Sequence, residues 1–130
     1  MKVQETGLIL FVENYNACVD YYENKLKINK RSEKKDLTTF DISTGYLMIE
    51  RGGVSSNKEK SRGQNPTVLR FDVFSLESAV LELKSRGVEF IENRLDFDWG
   101  KIAVCNDPDG NRIEIGEINQ ASASYIKVKE

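Results

Sequence analysis

The side chains that could carry chemistry in this chain are carboxylates, guanidinium groups and two thiols, because the sequence contains no histidine. Imidazole supplies the near-neutral base of Ser-His-Asp and Cys-His sites. It also supplies the nitrogen ligands of HExxH zinc sites and of iron sites with two histidines and one carboxylate. This chain alone can build none of them. Its candidates for acid–base chemistry are Glu50 and Glu114, with Arg70 and Arg112 as candidate cationic partners.

Length and charge exclude further classes of function. The chain has 130 residues, which fits one domain, and its 19 basic and 21 acidic side chains leave a net charge of −2. This balance gives no broad positive field for a phosphate backbone, so we expect no nucleic-acid partner. The longest apolar run, residues 8–12, is far shorter than the roughly 20 residues that span a bilayer, so we expect no membrane partner.

The first residues and the cysteines indicate where the protein works. Residues 1–5 are too polar for a signal peptide, which predicts a cytoplasmic protein. Cys18 and Cys105 lie in segments with regular apolar patterns. They predict two buried thiols in a reducing compartment rather than a disulfide framework.

An internal repeat at an offset of 61 residues predicts the elements that position the candidate side chains. In each half, apolar residues alternate as in a half-buried strand and then recur at i, i+4 and i+7, as on one face of a helix. The strand positions are Leu8, Leu10, Val12 and Leu69, Phe71, Val73; the helix positions are Tyr15, Val19, Tyr22 and Leu76, Val80, Leu83. Asn14 and Ser75 stand at the two N-cap positions, and Gly87 stands at the C-terminal end of the second helix.

Three strand-like segments follow each helix, at residues 28–32, 37–43 and 46–51 and at residues 88–92, 101–105 and 112–117. Thr44-Gly45 and the run DPDGN at residues 107–111 have turn chemistry between the last two strands of each half. The pattern predicts an α+β fold, a single domain over 1–130 made of two tandem βαβββ halves. Each half, about 5–52 and about 66–119, has a mixed or antiparallel sheet with one helix on its outer face. A mobile linker at 53–65, rich in Gly, Ser, Lys and Asn, permits pairing of the halves within one chain or across two.

Because strand neighbours point to opposite faces, parity fixes which side chains lie on the sheet face away from each helix. These are Phe11, Tyr46, Met48 and Glu50 in the first half and Arg70, Asp72, Arg112 and Glu114 in the second. An apolar lining with a few polar groups is typical of a ligand cavity. The same pattern also fits a solvated sheet face whose charges form weak cross-strand pairs.

The two tandem βαβββ units resemble the vicinal oxygen chelate superfamily, the group of glyoxalase I, bleomycin resistance proteins and extradiol dioxygenases. The motifs that carry the resemblance include Tyr21-Tyr22 on the first helix, Ser85-Arg86-Gly87-Val88 at the end of the second, and Trp99-Gly100. The resemblance spans roughly residues 6–117, and its most specific part is the closing run DPDGNRIE at residues 107–114. It implies that the two halves form a cleft and that the protein is a homodimer.

The resemblance also implies a divalent-metal site with one ligand near the start of the first strand and one near the end of the last strand of each half. These positions fall on Gly7, Glu50, Val68 and Glu114. Glycine and valine have no ligating side chain, and two carboxylates do not hold Zn²⁺, Ni²⁺ or Fe²⁺ tightly. We therefore expect no metal or other cofactor, with one alternative: Glu5 or Asp72 could complete an all-oxygen site for Mg²⁺ or Mn²⁺.

Without a metal, Glu50 and Glu114 facing each other would repel unless a guanidinium lies between them. Our hypothesis is that Arg70 supplies this positive charge; the alternative is an arginine that pairs with any nearby acid. Trp99, the only tryptophan, likewise has two interpretations. Its ring could stack on a planar or cationic ligand, or it could be a packing residue.

Three functions follow from these observations. The one we favour is a metal-free small-molecule-binding protein of the bleomycin resistance type that takes a cationic or aromatic ligand. Its predicted ligand-binding residues are Phe11, Tyr46, Met48, Glu50, Arg70, Trp99, Arg112 and Glu114. The second is a lactoylglutathione-lyase-like or other metal-dependent enzyme. The third is a metal-independent enzyme that uses Glu50 or Glu114 as its base.

Overall fold

Two four-stranded sheets, each with one helix, make up the computed structural model, which describes residues 1–119. The first half contains β1 (Thr6–Val12), α1 (Tyr15–Asp20), a π-helical turn (Tyr21–Lys25), β2 (Lys30–Glu33), β3 (Leu37–Ile42) and β4 (Gly45–Arg51). The second contains β5 (Leu69–Asp72), α2 (Leu76–Ser85), β6 (Phe90–Phe97), β7 (Gly100–Asn106) and β8 (Arg112–Ile118). This order confirms the two tandem βαβββ units and the α+β fold.

Both sheets have the same topology. The strand orders are β1-β4-β3-β2 and β5-β8-β7-β6, with the first strand of each unit parallel to its last and the other pairs antiparallel. Helix α1 contacts β4, and α2 contacts β7 and β8, so each helix covers the central strands of its own sheet. Within residues 1–119, the helices are too short or too polar to cross a membrane.

The helix-facing side of each sheet forms a core. In the first unit, Leu47 and Ile49 of β4 are fully buried with Phe40 of β3 and Tyr22. In the second, Ile113 of β8 packs in a core whose other buried members include Ile115, Cys105, Leu76, Val80 and Leu83. Cys18 and Cys105 are both fully buried thiols, as predicted. Burial of each leucine or isoleucine side chain in these cores contributes about 1.5–3 kcal/mol to the stability of the fold.

Two strand predictions differ from the structure. Strand β2 lies at Lys30–Glu33 rather than 28–32, and all four of its residues are exposed. Strand β6 runs over Phe90–Phe97 rather than 88–92, and its register with β7 shifts twice between Phe90 and Leu95. Both are edge strands, and an exposed or bulged edge strand lacks the apolar alternation from which a strand is predicted.

The turn Asp107–Gly110 belongs to the first compact unit, although the second half of the chain supplies it. The fully buried carboxylate of Asp109 accepts hydrogen bonds from the amides of Glu13 (2.7 Å) and Asn14 (2.9 Å) and from Asn14 Nδ2 (2.9 Å). The prediction that the Asn14 side chain caps α1 as an acceptor is therefore wrong. Its side-chain amide donates to Asp109, whose carboxylate satisfies the backbone amides before α1.

A second carboxylate fixes this turn from within. Asp107 Oδ1 accepts the amide of Asp109 (2.9 Å), and Asp107 Oδ2 accepts the hydroxyl of Tyr22 (2.7 Å) in the buried core. Gly110 has a φ of 87°, and a side chain there would approach the Ser56 carbonyl to 2.9 Å. The turn consequently requires both acids and the glycine.

Helix α2 begins and ends as predicted. Ser75 accepts a hydrogen bond from the amide of Ser78 (3.2 Å), and Gly87 adopts a φ of 89° just beyond the helix. A distant carboxylate contributes here too, because Glu117 of β8 accepts the amide of Leu76 (2.8 Å). Both helices therefore receive an acidic side chain from far along the chain at their N-terminal ends.

The predicted linker contains no helix or strand, but it is tied to the first unit at its beginning. Ser55 donates from its amide (2.9 Å) and its hydroxyl (3.0 Å) to Glu13, and the Ser56 amide donates to the carbonyl of Asp109 (3.0 Å). The boundary between the two compact units falls after Glu59. The end of the linker is tied to the second unit, where Asn65 Nδ2 donates to Asn111 Oδ1 (2.8 Å).

Replacing Asp109 by asparagine removes the charge and one of the two acceptor oxygens that serve residues 13 and 14. We expect D109N to lower the free energy of unfolding by about 1–3 kcal/mol. Urea denaturation measures this loss. The matched control is D36N, since Asp36 forms an exposed pair with Arg51 and its replacement should change stability by less than about 0.5 kcal/mol. Equal losses of unfolding free energy in D109N and D36N would show that the Asp109 carboxylate does not stabilise the first unit.

Burial, reinforced by the charge of Asp107, raises the pKa of Tyr22 well above the ordinary tyrosine value of about 10. Below pH 9 the phenol is protonated in both folded and unfolded chains. As the pH rises past 10, only the unfolded chain loses this proton, so stability falls by up to about 1.4 kcal/mol per pH unit.

The variant Y22F tests this pH dependence. Y22F is less stable at neutral pH, because Asp107 loses a hydrogen-bond donor, but its stability declines less steeply between pH 10 and 11. Urea denaturation at several pH values compares the two slopes. Parallel slopes would show that the buried phenol does not resist ionisation.

Candidate functional site

On the first sheet, the face away from α1 carries Phe11, Tyr46, Met48 and Glu50, as parity predicts. Neighbouring β4 residues on the other face are fully buried, whereas Phe11 is 51% exposed. Strand β1 pairs Phe11 with Glu50 and places Ile9 beside Met48. This part of the face is therefore an exposed apolar surface at the β1 edge of the sheet.

Glu50 is the carboxylate on this surface. The register places it between Phe11 of β1 and Leu37 of β3, and it is partly buried. It forms no ion pair with any residue in the described part of the chain. A carboxylate in this position can accept a hydrogen bond from a ligand.

Tyr46 occupies the space next to Gly7. The two residues are paired in register, and a methyl group on Gly7 would overlap the tyrosine ring. Arg31 lies over that ring at 5.6 Å and donates to both oxygens of Glu5, at 3.0 and 2.7 Å, and to Asp41 at 2.6 Å. These hydrogen bonds hold the pKa of Glu5 below its ordinary value. The position of the first implied metal ligand is thus filled by an aromatic ring under a paired guanidinium.

On the second sheet, Arg70, Asp72, Arg112 and Glu114 form one charged cluster. Arg112 Nε donates to Glu114 Oε2 at 2.9 Å, and Arg70 Nη1 lies 3.5 Å from Glu114 Oε1. Arg70 Nε lies 3.5 Å from Asp72 Oδ1. Gly116 makes this close arrangement feasible, because a Cβ there would lie 2.7 Å from Arg70 Nε. The hypothesis that Arg70 approaches Glu114 therefore agrees with the geometry inside this unit.

Trp99 contacts both a cation and a second aromatic ring. The Arg70 guanidinium carbon lies 4.9 Å from the centroid of the tryptophan ring. Phe97 stacks on the same ring at 5.1 Å with an interplanar angle of 3°. Phe97 is not among the residues predicted from the sequence; its spacing of two residues from Trp99 in a tight hairpin turn is the signal that could have identified it. Trp99 thus has packing partners and also forms an aromatic platform beside the charged cluster.

The strand registers change one equivalence that the sequence suggested. The internal repeat relates Ile9 to Arg70, and these residues pair with Met48 and Glu114 respectively. Met48, rather than Glu50, is therefore the counterpart of Glu114. Of the four metal-ligand positions in this register, only that of Glu114 holds a carboxylate.

The residues at these positions do not fit a divalent metal. Gly7 and Val68 have no ligating side chain, and the Tyr46 ring fills the space at Gly7. Glu114 already faces two guanidinium groups. Among residues 1–119, no group of three or more Cys, Asp or Glu side chains is arranged to hold a metal ion. The glutamate and aspartate alternatives, Glu5 and Asp72, are instead directed to arginines.

A pocket of about 210 Å³ lies on the helix side of the second unit, away from the predicted site residues. It exists because α2 covers β7 and β8 and leaves the edge strand β6 uncovered. Its lining includes Leu76, Glu77, Val80, Leu81, Arg94 and Lys101. The paired charges on its rim, Arg94 with Asp96 and Lys101 with Glu117, do not favour one class of ligand.

Two tandem βαβββ units, each with polar side chains on the sheet face opposite its helix, define the class of protein. The chain belongs to the Glyoxalase/Bleomycin resistance protein/Dioxygenase superfamily, whose family model matches residues 5–115. This match confirms the family resemblance seen in the sequence.

Solved structures of other proteins share the fold. A glyoxalase/bleomycin resistance protein/dioxygenase from Nocardioides is 17% identical, with a TM-score of 0.73 over 92% of this chain and 86% of that one. The fosfomycin resistance protein FosX from Listeria monocytogenes is 17% identical, with a TM-score of 0.72 over 94% of this chain and 98% of its own. A protein of unknown function from Agrobacterium tumefaciens is 22% identical, with a TM-score of 0.68 over 92% and 95% of the two chains. At these identities, the similarity establishes the fold alone.

The overlap between position 7 and Tyr46 predicts an energetic coupling. G7A must displace the tyrosine ring from beneath Arg31, and we expect it to cost about 1 kcal/mol of stability. In Y46A that obstacle is absent, so the double variant should lose less than the sum of the single losses by about 0.5–1 kcal/mol. Urea denaturation of the four proteins measures the coupling.

G63A is the matched control, because a Cβ at Gly63 has only Ser61 within ordinary contact distance, at 3.7 Å. Its stability should change by less than about 0.5 kcal/mol, since exposed sites away from special features tolerate substitution. Strict additivity of G7A and Y46A would refute the contact.

Proposed function

We propose that this protein binds a small organic molecule without a metal ion, as a non-catalytic member of its superfamily. The observation that carries the proposal is the Arg70 guanidinium, which lies between Asp72 and Glu114 and against Trp99 on one sheet face of the second unit. This side chain supplies a fixed positive charge next to the one metal-ligand position that retains a carboxylate.

The residues on that face suit recognition more than turnover. Arg112 donates a hydrogen bond to one oxygen of Glu114, and Arg70 lies beside the other, so both oxygens of this carboxylate face a guanidinium. Trp99 and Phe97 add a flat apolar surface, which contributes contact area and stacking. A few polar groups beside an aromatic surface are typical of small-molecule sites.

The first unit offers a separate candidate binding surface on its own sheet face. Phe11 and Met48 provide apolar contact, and Tyr46 and Glu50 provide a hydroxyl and a carboxylate. Glu50 is the candidate there for a hydrogen bond to a ligand, because it has no ion-pair partner within residues 1–119. The proposal does not require either carboxylate to act as a base.

Trp99 makes this proposal testable, because it is the only tryptophan and reports directly on its surroundings. Phenylacetate, phenethylammonium and benzyl alcohol carry one ring with a negative, a positive or no charge. We expect at least one to change Trp99 fluorescence and to raise the Tm by about 3 °C or more at ten times its Kd. The response should be the same in EDTA and after addition of Mg²⁺, Zn²⁺ or Ni²⁺.

Two variants locate the binding. W99A should weaken the binding measured by calorimetry at least tenfold. F74A should leave it unchanged, since Phe74 is a fully exposed aromatic of the same unit. Three results would overturn the proposal: failure of all three probes to bind, binding only with added metal, or turnover of the methylglyoxal–glutathione adduct with Zn²⁺ or Ni²⁺.

A further inference from the structure

We propose that the ligand bound by the second unit is an organic anion, a carboxylate attached to a planar ring. Its oxygens would accept hydrogen bonds from Arg70 and its ring would lie against the Phe97–Trp99 pair. This inference rests on the proposed function and names its ligand class. It also reverses the cationic ligand that the sequence favoured.

Arg70 has hydrogen-bond donors without acceptors. A guanidinium carries five N–H donors and accepts none. The contacts with its two acidic neighbours, from Nε to Asp72 and from Nη1 to Glu114, are both 3.5 Å long, beyond ordinary hydrogen-bond length. Nε is buried and makes no hydrogen bond to any residue that the structure describes. A mostly buried guanidinium in this state is completed by an acceptor from outside the chain.

The carboxylates of the cluster are already engaged. Glu114 accepts from Arg112 Nε at 2.9 Å, and its other oxygen faces Arg70. It is also less exposed than Arg70, with 18% of its side chain accessible against 27%. A cationic ligand would have to displace an arginine to reach Glu114, whereas an anion can approach the more exposed guanidinium of Arg70.

The aromatic pair explains why the anion should carry a ring. Trp99 lies 4.9 Å from the Arg70 guanidinium and stacks on Phe97, which is 46% exposed. The apolar surface of Trp99 and Phe97 therefore lies directly beside the N–H donors of Arg70. A planar acid matches both features at once, since a carboxylate takes the parallel N–H groups of arginine and a ring extends the stack.

Gly116 leaves the space that the Arg70 guanidinium occupies. It lies on the same sheet face, and a Cβ there would approach Asp72 Oδ1 to 2.6 Å and Arg70 Nε to 2.7 Å. The glycine thus lets the guanidinium lie close to the sheet beside Trp99. A methyl group at this position should push the flexible end of Arg70 aside without disturbing the backbone.

Calorimetry with three matched probes tests the ligand class. Phenylacetate has the ring and the negative charge, phenethylammonium has the ring and a positive charge, and acetate has the charge alone. We expect phenylacetate to bind at least tenfold more tightly than either of the others. R70M should lower phenylacetate affinity at least tenfold, and R70K should lower it less because lysine keeps the charge but loses the planar fork.

R94M is the matched control, since Arg94 is an exposed guanidinium of the same unit and pairs with Asp96. The R94M variant should bind phenylacetate as tightly as the wild type. G116A gives an independent route should R70M fold poorly, with an expected three- to tenfold loss of affinity. Phenethylammonium binding as tightly as phenylacetate, or unchanged affinity in R70M and G116A, would overturn the anionic class while leaving the proposed function intact. Failure of both ring probes, together with benzyl alcohol, would overturn the proposed function itself.

Discussion

The first unit depends on one buried carboxylate that the chain supplies almost at its end. Asp109 accepts three hydrogen bonds from residues 13 and 14, where β1 gives way to α1, and those amides have no acceptor in their own helix. Asp107 fixes the same turn and binds the hydroxyl of Tyr22 in the core. The first βαβββ unit is therefore complete only once the chain has passed through residue 110.

This constraint explains why the two units are similar but not interchangeable. In the second unit, Ser75 provides the cap and Glu117 of β8 accepts the first helical amide, so all the groups come from the same half. In the first unit, Asn14 occupies the cap position and becomes a donor to the returning turn. The repeat thus preserves the order of elements while the hydrogen bonds that end them differ.

The sequence predicted those features that arise from local periodicity. Apolar alternation and the 61-residue repeat identified β1, β5, both helices and the buried faces, because burial on one side imposes a regular pattern. The exposed edge strand β6 carries no such pattern, and its bounds were wrong for that reason. The family resemblance made Glu50 the counterpart of Glu114, an offset of 64 residues, whereas the strand registers make Met48 its counterpart, an offset of 66, because Met48 stands opposite Ile9 as Glu114 stands opposite Arg70. The partners of Asp109 lie 95 and 96 residues away, a separation that turn chemistry cannot reveal.

The side chains at the family's metal positions determine which chemistry the fold retains. A divalent ion polarises a bound oxygen and lowers the pKa of coordinated water, whereas a guanidinium stays protonated and offers only oriented hydrogen bonds and charge. With Tyr46 beside Gly7 and Arg70 beside Glu114, this chain has an aromatic ring and an arginine near two of those positions. Such groups can hold an anion in place, but they cannot generate a nucleophile from water. This limit on the chemistry of a guanidinium is why we propose recognition rather than turnover for the second unit.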